Sequence, residues 1–129
     1  MTIAIVCVIL AGFLPIMAAG IAKFGPTENT SIDPYDNRQP REWLAKQTGL
    51  RARANAAQAN TFESLPFFYV AIAIAMILQA PQARIDVLAI AYLLARVAYI
   101  ACYVMDWANL RTLVWLIGFA CTVALFFQI

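Results

Sequence analysis

The sequence predicts an all-α integral membrane protein, a bundle of four transmembrane helices, and three observations support this. Hydrophobic residues make up 64% of the 129 residues and charged residues 12%, whereas a soluble domain is roughly half apolar and a quarter charged. The mean hydropathy of the chain is +0.75. Four apolar runs each approach the length of about 20 residues that a bilayer crossing requires. We therefore expect a single membrane domain over residues 1–129, with membrane lipid around it.

Charge and residue types exclude two classes of function. The formal net charge is only +2 and the basic residues form no cluster, so the chain is not expected to bind nucleic acid. Cys7, Cys102 and Cys121 lie in apolar runs without CxxC spacing, and the chain has no histidine. No metal site is therefore predicted.

The first helix is predicted over residues 2–22, a run that carries no charge. It is long enough to cross the membrane and lacks the basic start of a signal peptide. A hydrophilic loop over residues 23–50 follows, and three prolines interrupt it. Pro40 favours the first position of a short helix at the membrane interface, which Gly49 is expected to end.

Three further helices are predicted over residues 51–79, 84–105 and 109–128. Pro81, in "QAPQAR", separates the first two of these because proline breaks a helix. Six of the nine Lys and Arg residues belong to the long loop and its exit, whereas Arg84 alone lies in the opposite turn. The positive-inside rule then places the long loop in the cytoplasm and both termini outside.

Polar side chains follow one face of the second and third transmembrane helices. Asn60 and Glu63 come seven and ten residues after Arg53, which keeps the three on one broad face. The third helix carries a nearly straight polar line at intervals of three or four residues: Tyr92, Arg96, Tyr99, Tyr103 and Asp106. A column of phenols that opens toward the cytoplasm favours a wet cavity.

Glu63 and Arg96 are expected at the same depth if the two helices are antiparallel, about 15 Å from the cytoplasmic end. A lone charge at that depth costs at least ~2.5 kcal/mol, so we predict that the two side chains pair. The pair and Asn60 either join the helices as a structural contact or line the cavity.

Arg111 and Thr112 fall in the first turn of the fourth helix, which Asp106 or Asn109 is expected to cap. A cation is unfavourable there because the helix dipole already makes the potential positive. Either Arg111 extends to the membrane interface, or Arg111, Thr112 and the free N–H groups form an anion site.

The stretch "RARANAAQANTFESLPFF" resembles the R-x-x-x-x-N-x-x-E-x-x-P-x-F pattern of the MAPEG family (membrane-associated proteins in eicosanoid and glutathione metabolism). Asn60, Glu63, Pro66 and Phe68 are in register with that pattern. "ARVAYIACY" followed by "NLR" is similar to the family's site in the third and fourth helices. The resemblance covers most of the chain and is strongest to bacterial members of unassigned activity.

The resemblance implies a MAPEG-like homotrimer, in a bacterial inner membrane, that binds glutathione between subunits near the cytoplasmic face. It implies that Arg111 is catalytic and stabilises the glutathione thiolate, because a guanidinium lowers the thiol pKa from about 8.5. The implied glutathione-binding residues are Arg53, Asn60, Glu63, Arg96, Tyr99, Tyr103 and Thr112. The implied activity is that of a glutathione transferase or peroxidase acting on lipophilic electrophiles.

Two other hypotheses remain open. The characterised eicosanoid enzymes carry an additional arginine close before the asparagine, where this chain has Ala56, Ala57 and Ala59. The loss of that carboxylate clamp favours a non-catalytic MAPEG-fold subunit or scaffold that binds lipid or another membrane protein. A small multidrug exporter matches in size and span count, but such exporters carry an essential glutamate in the first helix. Residues 2–22 contain no acid.

Overall fold

Four long helices and one short helix make up the computed structural model, which describes residues 1–27 and 29–128. They are α1 (Ile3–Phe24), α2 (Pro40–Ala45), α3 (Gly49–Ile77), α4 (Gln82–Val104) and α5 (Ala108–Leu125). The four long helices are each long and apolar enough to cross a membrane. The predicted all-α fold with four membrane spans is therefore confirmed. Residue 28 of the predicted loop lies outside the described residues.

Small side chains allow α1 to lie close against α3. The buried face of α1 recurs every three or four residues and consists of Ala4, Cys7, Ala11, Leu14, Pro15, Ala18 and Ala22. The buried face of α3 likewise contains alanines at positions 54, 57, 71 and 75. Such residues let helix backbones approach closely in lipid, where dispersion contacts replace the hydrophobic effect as the main attraction between helices. Tyr69 of α3 also donates a hydrogen bond of 3.1 Å to the Val8 carbonyl of α1.

Of the four spans, α5 is the least buried within the single chain. Its buried residues are Gly118, Thr122 and Leu125, and it packs mainly against α4. Its large apolar side chains, by contrast, are exposed in the single chain: Leu110, Leu113, Trp115, Leu116, Ile117 and Phe119. An apolar outer surface of this kind is suited to lipid or to another membrane protein.

The long loop is fastened to the ends of α1 and α3. Arg51 Nε donates to the Gly25 carbonyl at 2.7 Å, and the Arg51 guanidinium lies 5.5 Å from the centre of the Trp43 ring. Trp43 Nε1 in turn donates to the Asp33 carbonyl at 2.7 Å. These contacts hold α2 against the bundle.

The short helix α2 begins at Pro40, as predicted, but it ends at Ala45 rather than at Gly49. Gly49 instead begins α3 with a φ of 59°. This left-handed conformation is accessible to glycine because it has no Cβ, and it turns the chain from the loop into α3.

Asp86 of α4 caps the N-terminus of α1 at the opposite end of the bundle. Its Oδ1 accepts a hydrogen bond of 2.8 Å from the Ala4 amide and another of 2.8 Å from Gln82 Nε2. We expect Asp86→Ala to lower the free energy of unfolding by about 1 kcal/mol, because the helix start loses both a hydrogen bond and a favourable charge.

Thermal unfolding in detergent measures this effect, with Asp33→Ala as the control because Asp33 is an exposed loop residue. A Tm for Asp86→Ala equal to that of the control would contradict the capping role.

Candidate functional site

A buried arginine links α3 to α4. Arg96 is only 2% exposed, and its Nη2 donates to Asn60 Oδ1 at 3.1 Å and to Thr61 Oγ1 at 2.8 Å. The Thr61 hydroxyl itself donates to the Ala57 carbonyl at 2.7 Å, which fixes it as an acceptor for Arg96. The cation is thus oriented by neutral oxygens on α3.

The predicted ion pair between Glu63 and Arg96 is wrong. Within residues 1–27 and 29–128, the hydrogen-bond acceptors of Arg96 are Asn60 and Thr61, and Glu63 is exposed. The reason is helical geometry: Arg96 points between positions 60 and 61, whereas position 63 is turned about 60° to the other side of position 60. Arg96 therefore keeps a charge that no carboxylate in the described residues neutralises at hydrogen-bond distance.

A cavity of about 260 Å³ lies between α3, α4 and α5, beside this arginine. Its polar lining comprises Asn60, Glu63, Ser64, Tyr92, Arg96 and Thr122. Its apolar lining comprises Phe67, Trp115, Gly118 and Phe119. Ser64 Oγ and Tyr92 Oη share a hydrogen bond of 2.9 Å in the polar part. The cavity thus combines a buried cation, an acid and several hydroxyls with an aromatic wall.

Two arginines lie at the ends of a pair of tyrosines. The Arg96 guanidinium lies 4.2 Å from the centre of the Tyr99 ring, and Tyr99 meets Tyr103 edge to face at 5.6 Å. Arg111 lies 4.2 Å from the centre of the Tyr103 ring. Such distances give favourable cation–π contacts. We call Arg96, Tyr99, Tyr103 and Arg111 the arginine–tyrosine row.

The tyrosines of α4 were predicted to line one wet cavity together, but only one of the three in the described part of the chain does so. Tyr92 lines the cavity, whereas Tyr99 is buried in a cluster with Leu14, Ala57 and Ile100. Tyr103 packs against the edge of that cluster. The row therefore runs alongside the cavity and meets it at Arg96.

The start of α5 differs from its predicted capping. Its N-cap is Trp107, and no side chain among residues 1–27 and 29–128 caps it, so the prediction of a cap by Asp106 or Asn109 is wrong. Asp106 instead adopts a φ of 62° in the turn before α5 and so cannot serve as the N-cap. Thr112 is exposed and donates to the Ala108 carbonyl at 3.2 Å.

Arg53 lies at the loop end of α3 and contacts the last turn of α4. Its Nη2 and Nε donate to the Val104 carbonyl at 3.1 and 3.4 Å. The eight predicted site residues therefore do not form one cluster in the structure. Asn60, Glu63 and Arg96 share the cavity, and Tyr99, Tyr103 and Arg111 join Arg96 in the row. Arg53 and Thr112 belong to neither group.

The sequence analysis missed the contribution of α5 to the cavity. Trp115, Gly118 and Thr122 recur at intervals of three and four residues, so they share one helix face. A Cβ added at Gly118 would meet the Ala95 Cβ at 3.4 Å, which shows how closely α5 approaches α4 there. The sequence signal that could have indicated this contribution was a small residue, Gly118, with a tryptophan and a threonine on the same helix face.

The fold and these contacts agree with a family assignment made independently of them. The sequence model of the MAPEG family matches residues 3–129, nearly the whole chain. The chain belongs to the MAPEG family. Neither the curated proteins nor the solved structures give a significant match.

MAPEG membership, together with the four apolar helices, makes the chain an integral membrane protein. It also supports a membrane role that is glutathione-transferase-like or related to that activity, because MAPEG proteins generally use glutathione.

The residues that line the cavity match glutathione in one carboxylate and in the ammonium group. Glutathione carries two carboxylates and one ammonium group at neutral pH. The cavity offers the cation of Arg96 and the acid of Glu63. In the part of the chain that the structure describes, two buried polar atoms have no hydrogen-bond partner, Arg96 Nε and Gln58 Oε1. Arg96 is the one of the two that lines the cavity, so the site has an unsatisfied donor available for a ligand oxygen.

Proposed function

We propose that the protein is a membrane-bound glutathione transferase or peroxidase that acts on lipophilic electrophiles at a site between subunits of a homotrimer. The observation that carries this proposal is Arg96. It is a buried cation with an unsatisfied Nε, on a cavity that also presents Glu63. A buried charge is costly in a membrane and usually marks a functional site.

The charges of the cavity suit glutathione. Arg96 would bind a carboxylate of the tripeptide through its fork of donors, and Glu63 would bind the ammonium group. Asn60 accepts a hydrogen bond from Arg96 through its Oδ1, so its amide N–H groups remain directed elsewhere and would serve a ligand oxygen. The proposed contacts within the cavity are Asn60, Glu63 and Arg96. Tyr99, Tyr103 and Thr112 lie outside the cavity of the single chain, and we keep them as proposed contacts on the side toward Arg111.

The size of the cavity supports a site shared between subunits. One chain provides about 260 Å³, whereas pockets for small ligands occupy roughly 300–1,000 Å³. Glu63 and Phe67 on the cavity rim are exposed in the single chain. A neighbouring subunit placed against α3 and α5 would enclose the rim and complete the pocket.

Arg111 would act on the thiol of bound glutathione. Bound glutathione supplies a thiolate, which forms a C–S bond as it opens an epoxide or displaces a leaving group from an electrophilic carbon. With a hydroperoxide, the thiolate instead attacks the O–O bond to give a sulfenic acid and an alcohol, and a second glutathione converts the sulfenic acid to disulfide and water. The guanidinium of Arg111 stabilises negative charge on the sulfur and so favours loss of its proton. The Tyr103 ring, whose centre lies 4.2 Å from the Arg111 guanidinium, holds that guanidinium in place.

The two substrates would approach from different sides. We propose that the protein lies in a bacterial inner membrane with the long loop on the cytoplasmic side and both termini on the outer side, because six basic residues belong to that loop and its exit. Arg111 lies near this end, where water-soluble glutathione is available. Phe67, Trp115 and Phe119 form the apolar side of the cavity, which would admit electrophiles from the bilayer.

Calorimetric titration of the detergent-purified protein with glutathione tests the proposal directly. We expect saturable binding, together with thiol-dependent consumption of a lipophilic electrophile such as a hydrophobic epoxide or a lipid hydroperoxide. Absence of binding heat at millimolar glutathione, in a preparation that remains folded and oligomeric, would refute the proposal.

A second candidate is a non-catalytic MAPEG subunit or scaffold that binds lipid or another membrane protein. The alanines before Asn60 favour it, because no arginine on that turn supplies a further carboxylate clamp. Ala57 is fully buried in the core, so only positions 56 and 59 have space for a longer side chain. A stoichiometric membrane-protein partner, together with no thiol-dependent turnover, would favour this candidate. Family membership and an α1 without acidic residues leave no support for the exporter hypothesis.

A further inference from the structure

The turn between α4 and α5 ends α4 in a defined way. Asp106 adopts a left-handed conformation with a φ of 62°. Its amide donates to the Tyr103 carbonyl at 3.2 Å, and the Trp107 amide donates to the Cys102 carbonyl at 2.8 Å. These two bonds are those of a Schellman motif, which satisfies carbonyls at the end of a helix.

The Schellman motif leaves the carbonyl of Val104, the last residue of α4, without a backbone donor in the part of the chain that the structure describes. Arg53 supplies that donor from α3, through Nη2 at 3.1 Å and Nε at 3.4 Å. A cation at the C-terminus of a helix also interacts favourably with the helix dipole. The side chain of Arg53 thus completes the end of α4 from a neighbouring helix.

The same turn determines where Arg111 lies. The Arg111 amide donates to the Trp107 carbonyl at 2.9 Å, so Arg111 is one helical turn after the Schellman motif. Its guanidinium rests on the ring of Tyr103, whose own carbonyl accepts a bond within the motif. Within the described residues no side chain caps α5, so the backbone of the turn leads directly into that helix.

We propose that Arg53 is a positioning residue, which joins the turn to α3 and thereby places Arg111 relative to Asn60 and Glu63. This inference rests on the proposed function for its catalytic consequence. It gives Arg53 a role that requires no contact with glutathione: its donors are directed to a protein carbonyl. The guanidinium of Arg53 thus adds to the hydrogen bonds of Arg96 in holding the polar residues of α3 and the cation of α5 in one arrangement.

The variant Arg53→Met tests the proposal, because methionine retains an unbranched apolar stem and removes the donors. Arg51→Met is a matched control: Arg51 also donates to a backbone carbonyl, that of Gly25, but on the loop side. We expect faster hydrogen exchange of the amides of Asp106 and Trp107 in Arg53→Met and no change there in Arg51→Met. Arg53→Lys, which keeps one charged donor, is expected to restore part of the protection.

The second readout is the ionisation of bound glutathione, followed by the ultraviolet absorbance of its thiolate as a function of pH. We expect Arg53→Met to reduce the thiolate fraction at pH 7 about tenfold, since the loss of a charge-assisted bond is worth about that factor. If Arg53 acts through Arg111, the double variant Arg53→Met/Arg111→Ala will resemble Arg111→Ala alone, because coupled residues are not additive.

Unchanged exchange in the turn, or additive effects in the double variant, would overturn the positioning role. Failure of the wild-type protein to bind glutathione is a different result. It would refute the proposed function, and hydrogen exchange of the segment that contains Arg111 would then decide the inference about Arg53 alone.

Discussion

Replacing Arg111 with alanine is expected to lower thiol-dependent turnover by up to roughly 30-fold at pH 7, the largest factor by which the thiolate fraction can fall when its stabilising charge is removed. Without a nearby guanidinium, the thiol of bound glutathione returns to an ordinary pKa of about 8.5, so only a few per cent is thiolate at pH 7. The thiolate fraction rises with pH. The deficit of the variant should therefore shrink as the pH is raised through about 8.5.

Initial rates measured between neutral and alkaline pH, for the wild type and for Arg111→Ala, test this expectation. Arg84→Ala is the control, because Arg84 is an exposed arginine in the first turn of α4, at the other end of the bundle. A uniform loss of activity at every pH would contradict a role in thiol ionisation and would indicate that Arg111 serves binding or folding instead.

The fold was predictable because its determinants are local and repeated. Each span is an apolar run bounded by charge, proline or a polar turn, and these features are visible without knowledge of neighbouring helices. The N-terminal boundary of α2 followed from Pro40, whose missing N–H suits the first helical position. The end of α2 did not follow, because the left-handed conformation of Gly49 serves the start of α3 rather than the end of α2.

The sequence was sufficient to select candidate residues for the site, but not to predict which side chains contact each other. Glu63 and Arg96 match in depth, yet Arg96 donates to Asn60 and Thr61. Depth follows from counting residues along each helix, whereas the choice between positions 61 and 63 depends on the rotation of α3 about its axis. That rotation is set by packing of the small face of α3 against α1, which a single sequence does not fix.

The contributions of Arg53 and α5 were hidden for the same reason. Arg53 has the spacing of a ligand-binding residue on the polar face of α3, but its guanidinium reaches a carbonyl 51 residues away. The lining of the cavity by Gly118 and Thr122 depends on the close approach of α5 to α4. Contacts between helices that are distant in sequence decide both cases.

Replacing Arg96 with methionine is expected to separate the structural role of this residue from its functional role. Methionine has a similar stem without charge, so the variant removes the cost of burying a cation, which is at least ~2.5 kcal/mol in a membrane. It also removes the hydrogen bonds to Asn60 and Thr61, each worth roughly 1.5–3 kcal/mol because the donor is charged. These terms oppose each other, and we expect the Tm to change little.

Glutathione affinity, by contrast, should fall about 100-fold in Arg96→Met, because a carboxylate would enter the cavity without a cation to receive it. Arg96→Lys is the matched variant: it keeps the charge but loses the planar fork, and its affinity should lie between the other two. Thermal unfolding and calorimetric titration of the three proteins decide the matter. A large fall in Tm with unchanged affinity would mean that Arg96 only joins α3 to α4. A stable variant that no longer binds glutathione would show that the buried charge of Arg96 serves ligand binding and is not required for folding.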